Sequence, residues 1–133
     1  MALKLKKVAY VMLYVADMER ALGFYRDQLG LEVGFAEANW AELQTEGFTL
    51  ALHLSDKPVS QPDPAPCVIF AASDLVAERQ ALQALDIPVS PLHKVAEYDE
   101  IVGASVDFKD PDGNALSLYA SLPRSVWEEI SRA

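Results

Sequence analysis

Residues 8–15 (Val-Ala-Tyr-Val-Met-Leu-Tyr-Val) are apolar throughout and rich in β-branched and aromatic side chains. That chemistry suits a buried strand, and the run falls far short of the roughly twenty residues a membrane helix needs. Asp17 follows, a residue whose carboxylate can accept from the free N–H groups at a helix start. Met18, Ala21, Leu22, Tyr25 and Leu29 then recur at helical spacing, which predicts an amphipathic helix over 18–29. Gly30 stands where a left-handed closing residue is wanted. Three strand-like segments come next, at 31–38, 40–45 and 48–54, the last two joined by a Glu46-Gly47 turn.

The same order recurs. Residues 67–73 read as a strand, Asp74 as a second N-cap, and Ala77, Ala81, Leu82 and Leu85 as a looser helical stripe. The chain is extended from Val89, 101–109 is a strand, Asp110-Pro111-Asp112-Gly113-Asn114 is a turn, and 115–120 is the last strand. The pattern is an internal duplication of a β-α-β-β-β unit, with the extra residues of the second copy assigned to a charged loop around residues 93–100. Pro58, Pro62, Pro64 and Pro66 mark a linker at about 55–66 between module 1 (about 5–54) and module 2 (about 67–120). Each module has one-sided elements that need covering, so the expected class is α+β, with both modules sharing one domain over 1–133. Val126, Trp127 and Ile130 predict a short terminal helix at about 122–131, with Trp127 as its buried anchor.

Composition narrows the function. With 51% hydrophobic and 23% charged residues, the chain has the material for a core. A net charge of −9 argues against a nucleic-acid backbone binder and permits a cationic ligand. Seven of those nine negative charges belong to residues 61–133, with Glu97, Asp99, Glu100, Asp107, Asp110 and Asp112 expected in a solvated loop and turn. The lone Cys67 excludes an internal disulfide and fits a reducing compartment. The basic start and the apolar run lack a cleavage site before Asp17, so the expectation is a cytoplasmic protein with no membrane partner.

Strand alternation separates two faces. Val11, Leu13 and Val15, then Leu50 and Leu52, then Val68 and Phe70, then Leu116 and Leu118 are fit to lie under a helix. The opposite faces are mixed. They carry Tyr10, Met12 and Tyr14, then Ala51 and His53, then Cys67, then Ser117 and Tyr119, and Trp40 and Glu42 fall on the same side. An apolar wall with a few polar groups is the composition of a ligand cavity. Cys67 itself reads as a small buried hydrophobe, since nothing near it in sequence activates a thiol.

The segments VMLYVADMERALGFYRDQLGL, WAELQTEGFTLALH, CVIFAASD and FKDPDGNALSLYA, in that order, resemble the glyoxalase/bleomycin-resistance/extradiol-dioxygenase (vicinal oxygen chelate) superfamily from about residue 8 to 120. The resemblance implies paired βαβββ modules forming a curved mixed sheet around a cleft, usually in a homodimer. Catalytic members hold a divalent metal with four side chains, chiefly His and Glu. The positions implied here are Tyr10, Ala51, Cys67 and Ser117, a set unsuited to such a metal, so the expectation is no metal and no cofactor.

The function expected is therefore a superfamily protein that binds a small, aromatic or cationic molecule in its cleft, as antibiotic-sequestering relatives do. Tyr10, Tyr14, Trp40, Glu42, Ala51, His53, Cys67 and Ser117 would line it, with the aromatics stacking on a planar ligand and Glu42 meeting a positive group. One alternative is a metal-dependent lyase, isomerase or dioxygenase that recruits Glu42 or His53. Others are cofactor-free acid/base work by His53 with Glu42 or Tyr10, and a subunit or regulatory module with a vestigial cleft.

Overall fold

The strand-then-capped-helix pattern of the first segment folds as β1 (Tyr10–Val15) followed by α1 (Met18–Leu22), in a computed structural model that describes residues 3–132. Asp17 is extended and its side chain accepts from the Arg20 N–H at 3.0 Å, closing the helix start. The helix stays α-helical only to Leu22. Gly23–Gln28 widens into a π-helical turn, where a continuous α-helix was expected. The wider turn buries the consecutive Phe24 and Tyr25 together, their rings edge to face at 5.1 Å. Its closing bonds, Gly30 N–H to Arg26 O and Leu31 N–H to Tyr25 O, each span one residue more than the Schellman pattern of an α-helix. Gly30 takes φ +78°, the left-handed conformation the closure requires.

Three strands complete the first unit: β2 (Glu32–Ala36), β3 (Trp40–Gln44) and β4 (Thr49–Leu54). Their spatial order is β1-β4-β3-β2, with β1 parallel to β4 and the other pairs antiparallel. Leu43, Leu50 and Leu52 lie fully buried with Tyr25, and each such side chain contributes about 1.5–3 kcal/mol of transfer free energy.

The second unit repeats the plan with β5 (Cys67–Ala71), α2 (Leu75–Ala84), β6 (His93–Glu97), β7 (Ile101–Lys109) and β8 (Ala115–Pro123), in the order β5-β8-β7-β6. Asp74 caps α2 by accepting from the Ala77 N–H at 3.1 Å. The buried positions of α2 are Leu75 and Leu82; Ala77, Ala81 and Leu85 are exposed, which corrects the expected stripe. Residues 93–97 of the expected charged loop form β6, because antiparallel pairing with β7 satisfies their backbone groups. β8 also runs three residues beyond the expected end, pairing through Ile101 and Pro123.

Pro123 then starts α3 (Arg124–Ile130). Trp127 is half-buried, packed with Leu92, Leu118 and Leu122 against Leu75, Ala104 and Val106. Arg124 ties α3 to the β6–β7 hairpin through the Asp99 carbonyl (2.9 Å), the Tyr98 carbonyl (2.6 Å) and the Glu97 carboxylate. The Arg124 guanidinium, with Lys94 beside it, holds the Glu97 carboxyl below the usual carboxylate range. Asp110 was expected in a solvated turn but is 5% exposed and organises the turn with its own carboxylate. The chain divides inside the proline-rich stretch into units Met1–Gln61 and Pro62–Ala133. Among the described residues no helix is long and apolar enough to cross a membrane.

Candidate functional site

Each sheet has a face turned away from its helix, and the candidate residues lie on these faces. In the first unit, β1, β4 and β3 place Tyr14, His53 and Trp40 abreast, and Met12, Ala51 and Glu42 abreast one pleat along. Six of the eight candidates (Tyr10, Tyr14, Trp40, Glu42, Ala51 and His53) therefore share one open face.

Their side chains meet. Glu42 Oε2 accepts from Trp40 Nε1–H at 2.9 Å and from the Tyr10 hydroxyl at 3.4 Å. Glu42 Oε1 has no partner among the described residues. Trp40 stands edge-on to Tyr10 and to His53, both at 5.7 Å, and His53 lies 5.5 Å from Tyr14. An aromatic row Tyr14–His53–Trp40–Tyr10 thus runs alongside one oriented carboxylate. Tyr10 on β1 and Glu42 on β3 reach each other across β4, where Ala51 is fully buried although it faces the open side.

Cys67 and Ser117 lie on the open face of the second sheet and belong to a polar chain. Cys67 Sγ is 3.3 Å from Ser117 Oγ, and Ser117 donates to Asp107 Oδ1 at 2.6 Å. The other Asp107 oxygen is 3.4 Å from His93 Nε2, and His93 Nδ1–H donates to the Pro91 carbonyl at 3.0 Å. A carboxylate only accepts, so the Ser117 proton goes to Asp107, and the one S–H proton of Cys67 has two acceptors in reach, Ser117 Oγ and the Val68 carbonyl at 3.7 Å. Cys67 is exposed, which corrects its expected burial.

The sequence reading missed Asp107 and His93. A signal for Asp107 was present: Val106 and Phe108 point to the core, so Asp107 points away, and the tight turn at 110–114 pairs it with Ser117. His93 carried no such signal, because its partner strand is fixed only by tertiary pairing.

The four positions at which the resemblance implies a metal do not fit one. Ala51 has no donor atom, the Tyr10 hydroxyl is engaged by Glu42, and Ser117 is engaged by Asp107. Among the described residues no three His, Cys, Asp or Glu side chains converge as a metal site requires.

Comparison with known proteins places this arrangement. The family model of the glyoxalase/bleomycin resistance protein/dioxygenase superfamily matches residues 7–118. The chain belongs to that superfamily. It is 29% identical over 124 residues to a catechol-2,3-dioxygenase of Bacillus subtilis, covering 91% of this chain but 44% of that protein. This chain therefore spans less than half the length of that curated relative. Among solved structures, SMU.1112c superposes with a TM-score of 0.71 at 28% identity, over 88% of this chain and all of the other. A lactoylglutathione lyase from Agrobacterium tumefaciens superposes at 0.70 with 23% identity, over 87% and 94% of the two chains, which shows the shared fold. The two βαβββ modules are the superfamily's tandem architecture in this chain, and a short terminal helix follows them.

Proposed function

We propose that the protein binds a small planar cation over the open face of its first sheet, without the metal that catalytic superfamily members use. The observation that carries this reading is the state of Glu42. A half-buried carboxylate is oriented through one oxygen by an indole and a phenol, and its second oxygen has no partner among the described residues. A cation seated there gains a charge-assisted hydrogen bond, and the flanking rings of Trp40, Tyr10, His53 and Tyr14 offer π-faces and edges to its flat body. In this reading Ala51 keeps the floor low.

The reading includes a cytoplasmic homodimer. Tyr10, Tyr14 and Phe35 on the first open face and Ile69 on the second are each about half exposed or more, an apolar display that supports covering by a ligand and a second copy.

A thermal-shift panel of ethidium, a planar cation, and bleomycin tests the proposal. A ligand at a hundred times its dissociation constant adds about 2.7 kcal/mol, which for a chain of this size raises the melting temperature by roughly 8–10 °C. No shift with either probe removes the reading.

The name of the B. subtilis relative favours a second reading, an enzyme of the same superfamily using atypical ligands such as Glu42 or His53. Elemental analysis of protein purified without chelator separates the two. One metal per chain supports the enzyme and overturns the metal-free binder.

A further inference from the structure

The second unit contains a groove that the function proposed above does not use. It lies between α2, the segment leading into β6, and α3, and has a volume of about 530 Å³, within the roughly 300–1,000 Å³ of small-molecule sites. Its apolar lining is Val76, Leu92, Trp127 and Ile130, and α2 adds Arg79 and two glutamines, with His93 at the start of β6. Arg79 is half-buried and spends only Nε on the protein, donating to the Ser90 carbonyl at 2.8 Å. That bond fixes the plane of the guanidinium. Both terminal nitrogens have no partner among the described residues, and neither has the indole N–H of Trp127.

The charge environment points the same way. The chain has 20 acidic against 11 basic residues, yet no Asp or Glu lines this groove. Arg79 has no ion-pair partner among the described residues. A fixed guanidinium fork with two free ends matches a carboxylate in bidentate geometry, and the apolar wall ending in an indole matches a flat hydrocarbon body.

We propose that the α2–α3 groove is a second ligand site, for a small aryl carboxylate whose carboxyl group sits on Arg79 and whose ring lies against Trp127. It is separate from the cation site in residues, unit and ligand charge.

The test is an NMR titration of the intact ¹⁵N-labelled protein with 2-naphthoate, read on its two tryptophan indole N–H peaks, Trp40 and Trp127. The Trp40→Phe variant assigns them. The expected result is a saturable shift of the Trp127 peak, with about tenfold or greater weakening in Arg79→Gln, the usual scale of a lost charge-assisted pair. The uncharged 2-naphthalenemethanol, run on unmodified protein, should also bind about tenfold or more weakly, so the test stands even if Arg79→Gln disturbs the fold. Three results overturn the proposal: a Trp127 peak unmoved up to the solubility limit of the acid, a shift confined to Trp40, or equal affinity for the acid and the alcohol.

Discussion

Replacing Asp110 by Ala should cost the second module about 3 kcal/mol. Asp110 is 5% exposed, and its carboxylate accepts from the Asp112 N–H at 2.9 Å, the Asn114 N–H at 2.8 Å and the Asn114 side-chain amide at 2.8 Å. Asn114 is itself 6% exposed, so its two donors lose a buried acceptor that water does not readily replace. At about 1.5 kcal/mol for each buried donor left short, those two give about 3 kcal/mol, and the half-buried Asp112 adds little. With a urea slope near 2 kcal/mol per molar, the unfolding midpoint should fall by about 1.5 M at unchanged slope. Asp110→Asn keeps an oxygen for the two backbone donors and sets an amide against the Asn114 amide, so its loss should be about half as large. The reasoning fails if Asp110→Ala costs less than about 1 kcal/mol, or if Asn is as damaging as Ala. The outcome reaches beyond stability, because this turn sets Asp107 opposite Ser117.

Two further outcomes follow from local chemistry. Asp17→Ala removes the acceptor for the Arg20 N–H and should lower stability by about 1 kcal/mol in the same urea assay, while Asp17→Asn should cost less. The Glu97 carboxyl is held below its ordinary range by Arg124 and then Lys94, so its contribution is present above the unfolded carboxylate pKa and is lost as pH falls through the lower folded value. The protection of the Arg124 amide, whose N–H donates to the Glu100 carbonyl, relative to its intrinsic exchange rate should therefore fall only below the ordinary carboxylate range, and more readily in high salt; loss of protection beginning near neutral pH would contradict it.

The fold was legible where local chemistry and tertiary structure agree. Asp17 and Asp74 mark both helix starts, and residues 101–109, read as a strand ahead of the 110–114 turn, form β7 to the residue. It was illegible where pairing or packing overrides local preference. The charged stretch from His93 has no hydrophobic pattern, and it is a strand only because β7 offers an edge. The widening at Gly23 depends on how Phe24 and Tyr25 fit the core, which spacing alone does not encode.

The candidate site divides the same way. Strand parity put Tyr10, Tyr14, Trp40, Glu42, Ala51 and His53 on one face, and the strand registers set Tyr14, His53 and Trp40 abreast there, with Ala51 beside Glu42. Sequence named the donors but not their meeting over Ala51, which depends on reach across β4. In the second module it named Cys67 and Ser117 while missing the carboxylate and the imidazole that complete their chain.

The central claim is that Glu42, oriented by Trp40 and Tyr10, anchors a planar cation. The most direct measurement is a titration with ethidium followed at the Trp40 indole N–H, which donates to Glu42, in the native protein and in Glu42→Gln. The account predicts a saturable shift in the native protein and binding weaker by about tenfold or more in the variant, with the rest of the spectrum unchanged. Equal affinity in both proteins, or saturation that leaves the Trp40 peak in place, would contradict it.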